Sequence, residues 1–242
     1  MPALIVLPSY NESQNIVNLI DDLLTLDADH RVCVVDDSSP DGTSELLTEK
    51  IAETPEWTGR VHLITRSKKD GRGGAVRDGL VWGMDQEPSI DSFVEMDCDF
   101  SHEPSAVPQG LAMLDDGNDV VIGARYPDGT IIGWPRRRRT FSAMANWLAR
   151  HLIEPSVGDY TNGFRFYTRP AATVLVDQPQ RHKGYIYLSE SLSHLLRAGM
   201  HVGSFPIVFR NRERGESNTG LREVWAALTG IVEIAWAYRR SA

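Results

Sequence analysis

The sequence has few cysteines, a deficit of positive charge and no long apolar run, and each shortage excludes a class of protein. Its two cysteines, Cys33 and Cys98, lie in or beside apolar runs without metal-type spacing, which excludes a disulfide framework and suits a reducing compartment. The formal net charge of −8 argues against nucleic acid as a partner. The longest apolar segment, residues 224–238, contains Glu233 and is shorter than the roughly 20 residues that cross a bilayer. Residues 1–3 lead into a strand pattern without signal-peptide features, so we expect a cytoplasmic protein.

Length and composition indicate one α/β domain with a C-terminal segment. The chain has 242 residues, of which 41% are hydrophobic and 24% charged, as in ordinary globular proteins. Apolar runs typical of buried strands occupy residues 3–7, 32–35, 61–64, 93–96 and 120–122. Between the first two runs, after the capping candidates Asn11 and Gln14, apolar residues recur at helical spacing, namely Ile16, Leu19, Ile20, Leu23 and Leu24. This β-α-β order predicts a mainly parallel sheet with helices on both faces.

Polar and acidic loops follow three of the predicted strands. They comprise residues 8–12 after the first strand, 36–43 after the second and 97–99 after the fourth. Ligands of such sheets gather at the carboxyl ends of the strands. The three loops therefore predict one binding site at a shared edge.

Asp97 and Asp99 lie one residue apart at the end of the fourth apolar run. Because strand side chains alternate in direction, we expect both carboxylates to point the same way. Two like charges held this close repel unless a cation lies between them, and Mg²⁺ can use one or two carboxylates while keeping positions for water and phosphate. A solvated turn is the alternative for an isolated pair, and the neighbouring polar loops favour the metal site.

Eight short motifs are distributed along the chain from Leu4 to about Gly220. In chain order they are YNE, VVDDSSPDGT, KDGRGGAVRDG, MDCDFSH, IGARY, the W-x3-R-x3-S-x3-N pattern from Trp134 to Asn146, DYTNGFRFY and PIVFRNRERGES. Together they resemble the family 2 inverting glycosyltransferases, most closely the group that makes dolichyl-phosphate or polyprenyl-phosphate mannose. The resemblance implies a GT-A fold, a nucleotide-binding α/β sandwich in which the two aspartates carry Mg²⁺ or Mn²⁺ on the donor diphosphate.

The resemblance also implies a donor nucleotide-sugar site at the ends of the first two strands. The matching positions are Pro8, Tyr10, Glu12, Val35 and Asp37, with Asp97 and the backbone of Cys98 near the donor, and Lys183 and Arg212 at its diphosphate. An aromatic ring beside the base, and carboxylates that accept from base and ribose groups, suit a nucleotide chemically.

For the metal, the resemblance implies the ligands Asp97, Asp99 and Ser101. Ser101 stands where glutamine is commoner in the family. A hydroxyl is a shorter neutral oxygen ligand than an amide, so Ser101 reaches the cation either directly or through a water molecule.

Arg125, Arg138 and Ser142 match the family positions that hold the acceptor phosphate. Arg138 and Ser142 are four residues apart and share one helix face, and Arg125 follows the fifth predicted strand. Guanidinium groups bind phosphate with paired donors. The resemblance thus implies that Asp97, Asp99 and Arg125 carry catalysis, whereas the other arginines of the 136–139 run face solvent or anionic lipid.

The activity implied is transfer of mannose from GDP-mannose to a polyprenyl phosphate with inversion. Two alternatives stay open: another donor such as UDP-glucose, or a weakly active partner subunit that binds nucleotide or lipid. Asn218 and Leu188 stand where the family usually has lysine and glutamine, and these departures favour the last alternative slightly.

A predicted C-terminal helix, residues 221–242, follows the predicted catalytic domain, residues 1–220. Apolar residues recur there at helical spacing before Arg239 and Arg240, namely Trp225, Leu228, Val232, Ala235 and Trp236. The helix either lies on a membrane surface or docks on the protein core. Because a polyprenyl acceptor is membrane-borne, we expect peripheral association with the cytoplasmic face of the membrane, and a separate membrane-spanning protein is a candidate partner.

Overall fold

The computed structural model describes residues 2–182, 184, 186–211 and 221–240, and for residues 221–228 it describes the backbone alone. The strands are β1 (Leu4–Ser9), β2 (Arg31–Asp36), β3 (Val61–Thr65), β4 (Ser92–Glu95), β5 (Val120–Ala124), β6 (Thr130–Ile132), β7 (Arg165–Thr168), β8 (Val202–Pro206) and β9 (Val208–Arg210). The helices are α1 (Ile16–Leu26), α2 (Thr43–Glu53), α3 (Arg72–Gln86), α4 (Val107–Asp115), α5 (Arg136–Leu152), α6 (Arg169–Asp177), α7 (Ile186–Arg197) and α8 (Leu221–Arg240).

The main sheet has the strand order β3-β2-β1-β4-β7-β5-β8. β1 pairs in parallel with β2 and β4, β2 with β3, and β5 with β8, whereas β7 runs antiparallel to both of its neighbours. β6 and β9 form a separate parallel pair. The predicted α/β class with a mainly parallel sheet is confirmed.

Both core layers can be read from the alternation of side chains along β1. Leu4 and Val6 face one apolar core, and Ile5 and Leu7 face the other, because successive strand side chains point to opposite faces. The first core is covered by α3, α5, α6, α7 and α8, and the second by α1, α2 and α4. The predicted helices on both faces are therefore present.

The predicted strands are β1 to β5, each with ends shifted by no more than two residues. The predicted helix is α1, and all its named apolar residues are buried. Its predicted capping residues are wrong. Asn15 precedes the helix without a side-chain cap, and the carbonyl oxygen of Glu12 accepts from the N–H groups of Asn15 and Ile16 instead. Asn11 adopts a positive φ of 62° in the preceding turn.

α8 docks on the protein core, which is one of the two alternatives set out for the C-terminal helix. It packs against α5 and α7 and buries Ile231, Ile234 and Ala235, while Val232 and Trp236 remain exposed. The side chains of Trp225 and Leu228 lie outside the described residues. Among the helices that the structure describes, none is long and apolar enough to cross a membrane.

Candidate active site

The three polar loops meet at the carboxyl edge of β1, β2 and β4. Pro8 of β1 lies opposite Val35 of β2, and the N–H of Asp37 donates to the carbonyl oxygen of Ser9 at 2.9 Å. The thiol of Cys98 donates to the carbonyl oxygen of Pro8 at 3.4 Å and so joins the third loop to the first. Burial raises the pKa of the Cys98 thiol well above its ordinary value, so this group stays protonated.

The donor-side residues predicted at the end of β1 line the rim in different ways. Tyr10 is exposed, and the ammonium group of Lys69 lies 3.3 Å from the centre of its ring. Glu12 is half-buried, and its Oε2 accepts from Asn15 Nδ2 at 2.9 Å. Val35 is fully buried in the core, so only its backbone faces the rim.

Asp37 fastens the loop that leads into α3. Its carboxylate is buried and accepts from Arg66 Nη1 at 2.7 Å. It also accepts from the backbone N–H groups of Asp70 at 3.0 Å and Gly71 at 2.8 Å. The contact of Asp37 with a nucleotide stays a prediction. The hydrogen bonds of Asp37 to residues 66–71, in contrast, are present in the structure.

The carboxylates of Asp97 and Asp99 lie in a bend after β4, not on the strand. β4 ends at Glu95, so the expectation that strand alternation aligns the two side chains is wrong. Ser101 brings them together instead: its N–H donates to Asp99 Oδ1 at 3.1 Å, and its hydroxyl lies 3.5 Å from Asp97 Oδ2.

The donor set suits a divalent cation that shares a ligand. In the described part of the chain, no three His, Cys, Asp or Glu side chains converge to hold a metal by themselves. Two carboxylates and one hydroxyl leave coordination positions for water and a diphosphate, as Mg²⁺ and Mn²⁺ require. The oxygen donors of Asp97, Asp99 and Ser101 therefore fit the predicted metal.

His102 supports this bend through a hydrogen bond to its backbone, a role that the sequence patterns did not predict. Its Nδ1 accepts from the N–H of Asp97 at 3.1 Å, so Nε2 carries the proton and donates to Asn162 Oδ1 at 3.0 Å. The ring is fully buried and stacks on Phe164, and burial lowers its pKa. Asn162 also donates to the carbonyl oxygen of Gly123, so a buried chain of hydrogen bonds positions Asp97.

Arg125 lies just after β5 in a buried ion pair. Its Nε and Nη2 donate to the two carboxylate oxygens of Asp159 at 2.8 and 2.9 Å, and Nη2 also donates to Thr161 Oγ1 at 2.7 Å. Burial alone would raise the pKa of Asp159, but the charge and hydrogen bonds of Arg125 outweigh it and hold that pKa below its ordinary value. Arg125 is thus positioned by Asp159, not free in a solvent-filled cleft.

Arg138 and Ser142 share one face of α5, as predicted from their spacing. Arg138 donates to Asn211 Oδ1 at 3.1 Å, and its guanidinium lies 4.0 Å from the centre of the Trp134 ring. The guanidinium of Arg125 lies 5.4 Å from the centre of the same ring. Among the described residues, the hydroxyl of Ser142 and the indole N–H of Trp134 are shielded from solvent without a hydrogen-bond partner. The guanidinium groups of Arg125 and Arg138 therefore both lie against Trp134.

Other predicted residues divide into exposed, buried and undescribed ones. The neighbouring arginines of α5 are exposed, as expected: Arg136, Arg137 and Arg139. Leu188 is buried in the core, so its departure from the family pattern is a packing difference. Lys183, Arg212 and Asn218 lie outside the described residues.

The mainly parallel sheet, with polar loops at its carboxyl edge, has the GT-A fold. Glucosyl-3-phosphoglycerate synthase from Mycobacterium tuberculosis, solved with Mn²⁺ and UDP-glucose, has this fold. It matches with a TM-score of 0.66 at 21% identity over 98% of this chain and 78% of that chain. Its complex with UDP gives a TM-score of 0.67 at 19% identity, over 97% and 80% of the two chains.

Residues 4–175 match the glycosyl transferase family 2, and the chain belongs to that family. It is similar to polyprenol monophosphomannose synthase from Mycolicibacterium smegmatis, with 34% identity over 237 residues, covering 98% of this chain and 87% of the relative. It is also similar to undecaprenyl-phosphate mannosyltransferase from Micrococcus luteus, with 31% identity over 239 residues, covering 99% and 96%. The resemblance that the motifs indicated is confirmed, and the protein is a glycosyltransferase.

The Arg125–Asp159 pair yields a stability prediction. Asp159→Asn keeps the size of the side chain but leaves a buried guanidinium unpaired, so we expect the free energy of unfolding to fall by about 3–5 kcal/mol. Urea unfolding at pH 7 measures this, with the exposed Asp128→Asn as the matched control.

The same pair predicts a pH dependence. Because Asp159 has a lowered pKa in the folded protein, its stabilisation is complete above the unfolded-state pKa of about 3.9 and is lost as pH falls through the lower folded value. The difference between wild type and Asp159→Asn should therefore shrink below about pH 4. Equal unfolding midpoints at pH 7 would contradict the pairing.

Proposed function

We propose that the protein transfers mannose from GDP-mannose to a polyprenyl phosphate in one inverting displacement. The observation that carries the proposal is that one aromatic ring connects two groups of residues. The first is the bend with Asp97 and Asp99, which suits a metal, and the second is the cationic cluster of Arg125 and Arg138 beside Trp134. The ring of Phe209 lies 5.3 Å from the ring of His102, which supports Asp97, and 5.2 Å from the ring of Trp134, which stacks on Arg138. A donor diphosphate on one side and an acceptor phosphate on the other are thereby neighbours.

The acceptor cluster suits a phosphate monoester. Arg125 and Arg138 supply positive charge beside Trp134, and the shielded Ser142 hydroxyl and Trp134 indole N–H offer two donors that have no partner within the described residues. The names of the two relatives, which refer to polyprenol and undecaprenyl phosphate, support a polyprenyl phosphate as the substrate.

The chemistry needs alignment more than a strong base. A phosphate monoester has a second pKa of about 6, so it is largely dianionic at neutral pH and is itself the nucleophile. Arg125, Arg138 and Ser142 hold it for attack on the anomeric carbon, and Asp97 and Asp99 would hold the cation. A bound Mg²⁺ or Mn²⁺ would neutralise the departing diphosphate. One displacement on an α-linked donor gives a β-linked product.

The surface formed by α5 and α8 suits peripheral membrane contact. Trp147 on α5 is 58% exposed and Trp236 on α8 is 63% exposed, although these helices pack against each other. Arg240 stacks on Trp236, with 4.2 Å from its guanidinium carbon to the ring centre. Exposed tryptophans next to arginines match the apolar interior and anionic headgroups of a bilayer surface. The same helix α5 also carries Arg138 and Ser142.

A donor and acceptor panel tests the proposed function. Purified protein is incubated with labelled GDP-mannose or UDP-glucose, with or without polyprenyl phosphate, in Mg²⁺, Mn²⁺ or EDTA. We expect transfer from GDP-mannose but not from UDP-glucose, and only when both polyprenyl phosphate and a metal ion are present. Transfer from UDP-glucose alone would assign the other donor. Nucleotide or lipid binding without any transfer would assign a partner subunit.

The metal assignment predicts a large loss of rate in Asp99→Asn. The change keeps side-chain size but removes a charge that holds the cation, so turnover should fall on the order of a hundredfold or more while the fold persists. Steady-state kinetics and a thermal melt measure both, with Asp91→Asn, at the opposite end of β4, as control. Wild-type rates in Asp99→Asn and in EDTA would remove the metal from the mechanism.

The acceptor assignment predicts that Arg138→Ala raises the KM for polyprenyl phosphate and leaves GDP affinity unchanged. Loss of charge-assisted hydrogen bonds corresponds to roughly tenfold or more. The exposed neighbour Arg137→Ala is the matched control, with little effect expected. If GDP affinity falls equally in Arg138→Ala, the residue belongs to the donor side.

The membrane assignment predicts that the double change Trp147→Gln and Trp236→Gln abolishes sedimentation with anionic liposomes. Both side chains are exposed, so the melting temperature should change little. Thr48→Gln, on α2 at the other face of the sheet, is the control. Unchanged sedimentation of the double variant would place lipid binding elsewhere.

A further inference from the structure

Arg72, the first residue of α3, joins three segments at the catalytic edge. Its Nε donates to Glu95 Oε1 at 2.9 Å, and its Nη2 donates to the carbonyl oxygen of Gly163 at 3.1 Å. Its Nη1 donates to Asp97 Oδ1, the oxygen of a predicted metal ligand. The guanidinium thus lies against a carboxylate that the proposed cation also needs.

Two features hold the guanidinium in this place. Glu95 is completely buried and also accepts from the hydroxyl of Tyr167 at 2.9 Å, so its position is fixed. A Cβ on Gly163 would lie 2.8 Å from the guanidinium carbon of Arg72, closer than real Cβ atoms approach a neighbour. The absence of a side chain at residue 163 therefore leaves the space in which the guanidinium reaches Asp97.

We propose that Arg72 is an internal counter-cation for Asp97 and competes with a divalent cation for that carboxylate. The inference rests on the proposed metal site. Two cations beside one carboxylate repel each other, so Arg72 weakens metal binding in the absence of donor. A nucleoside diphosphate adds negative charge that both cations can share. Arg72 thereby couples metal binding to donor binding, and this coupling is reciprocal.

The test is Mn²⁺ binding without substrate, measured by titration calorimetry or by the signal of free Mn²⁺ in electron paramagnetic resonance. Arg72→Gln should bind Mn²⁺ more tightly than wild type, on the order of tenfold, because a charge-assisted hydrogen bond no longer competes. Added GDP should tighten Mn²⁺ binding less in this variant than in wild type. Arg72→Lys, which keeps the charge, should stay closer to wild type.

Two further variants distinguish competition between Arg72 and the metal from a purely structural role of Arg72 in bracing the loops. Gly163→Ala keeps every charge but displaces the guanidinium, so it should also tighten Mn²⁺ binding. Arg77→Gln is the control, because Arg77 lies on the same helix and donates to the carbonyl oxygen of Val176, away from Asp97.

Each outcome decides the matter. Folded Arg72→Gln that binds Mn²⁺ no more tightly than wild type would show that Arg72 only braces the loops, while the proposed metal mechanism stands. If Arg72→Gln does not fold, unchanged Mn²⁺ affinity in Gly163→Ala overturns the inference. If no variant and no wild-type protein binds Mn²⁺, with or without GDP, the inference and the proposed metal mechanism both fail.

Discussion

Three buried carboxylates at the edge of the sheet are each paired with an arginine from another segment. The pairs are Asp37 with Arg66, Glu95 with Arg72 and Asp159 with Arg125. A buried carboxylate that loses its partner costs several kcal/mol, so each pair strongly opposes separation of the segments it joins. The loops that carry the predicted ligand-binding groups are therefore fixed by charge as well as by packing. This rigidity suits a reaction that needs alignment of two phosphate-bearing substrates.

Aromatic rings connect the two halves of the site. Phe209 contacts the rings of His102 and Trp134, and Trp134 in turn stacks on Arg138. The face of an aromatic ring attracts a nearby guanidinium group. Unlike a carboxylate, it does so without adding negative charge. The proposed acceptor side thus has positive charge close to the acidic bend, although the chain as a whole is acidic with a net charge of −8.

Local patterns predict the elements of this fold better than they predict the partners within the site. β1 follows from a continuous apolar run and α1 from an apolar periodicity of 3.6 residues, and the order of elements predicts the parallel sheet. β6 and β9 have three residues each, too few for a periodic signal. The match to family motifs predicts Asp97, Arg125 and Arg138 as site residues, since those motifs are local in sequence.

The parts of the site that the sequence did not predict depend on contacts between residues far apart in the chain. His102 and Asn162 are 60 positions apart, and Arg72 reaches Gly163 across 91 positions. Neither pair is implied by spacing along a helix or strand. The bend after β4 likewise depends on the N–H of Ser101 and the ring of His102, so strand alternation gave the wrong geometry for Asp97 and Asp99.

The most direct test of single-displacement transfer is the anomeric configuration of the lipid product. The protein would be supplied with GDP-α-mannose, polyprenyl phosphate and Mg²⁺, and the one-bond C1–H1 coupling of the purified mannolipid would be measured by NMR. Attack by an acceptor phosphate held opposite the leaving diphosphate predicts β-mannosyl phosphate. An α-configured product would contradict the proposed alignment of the two phosphates.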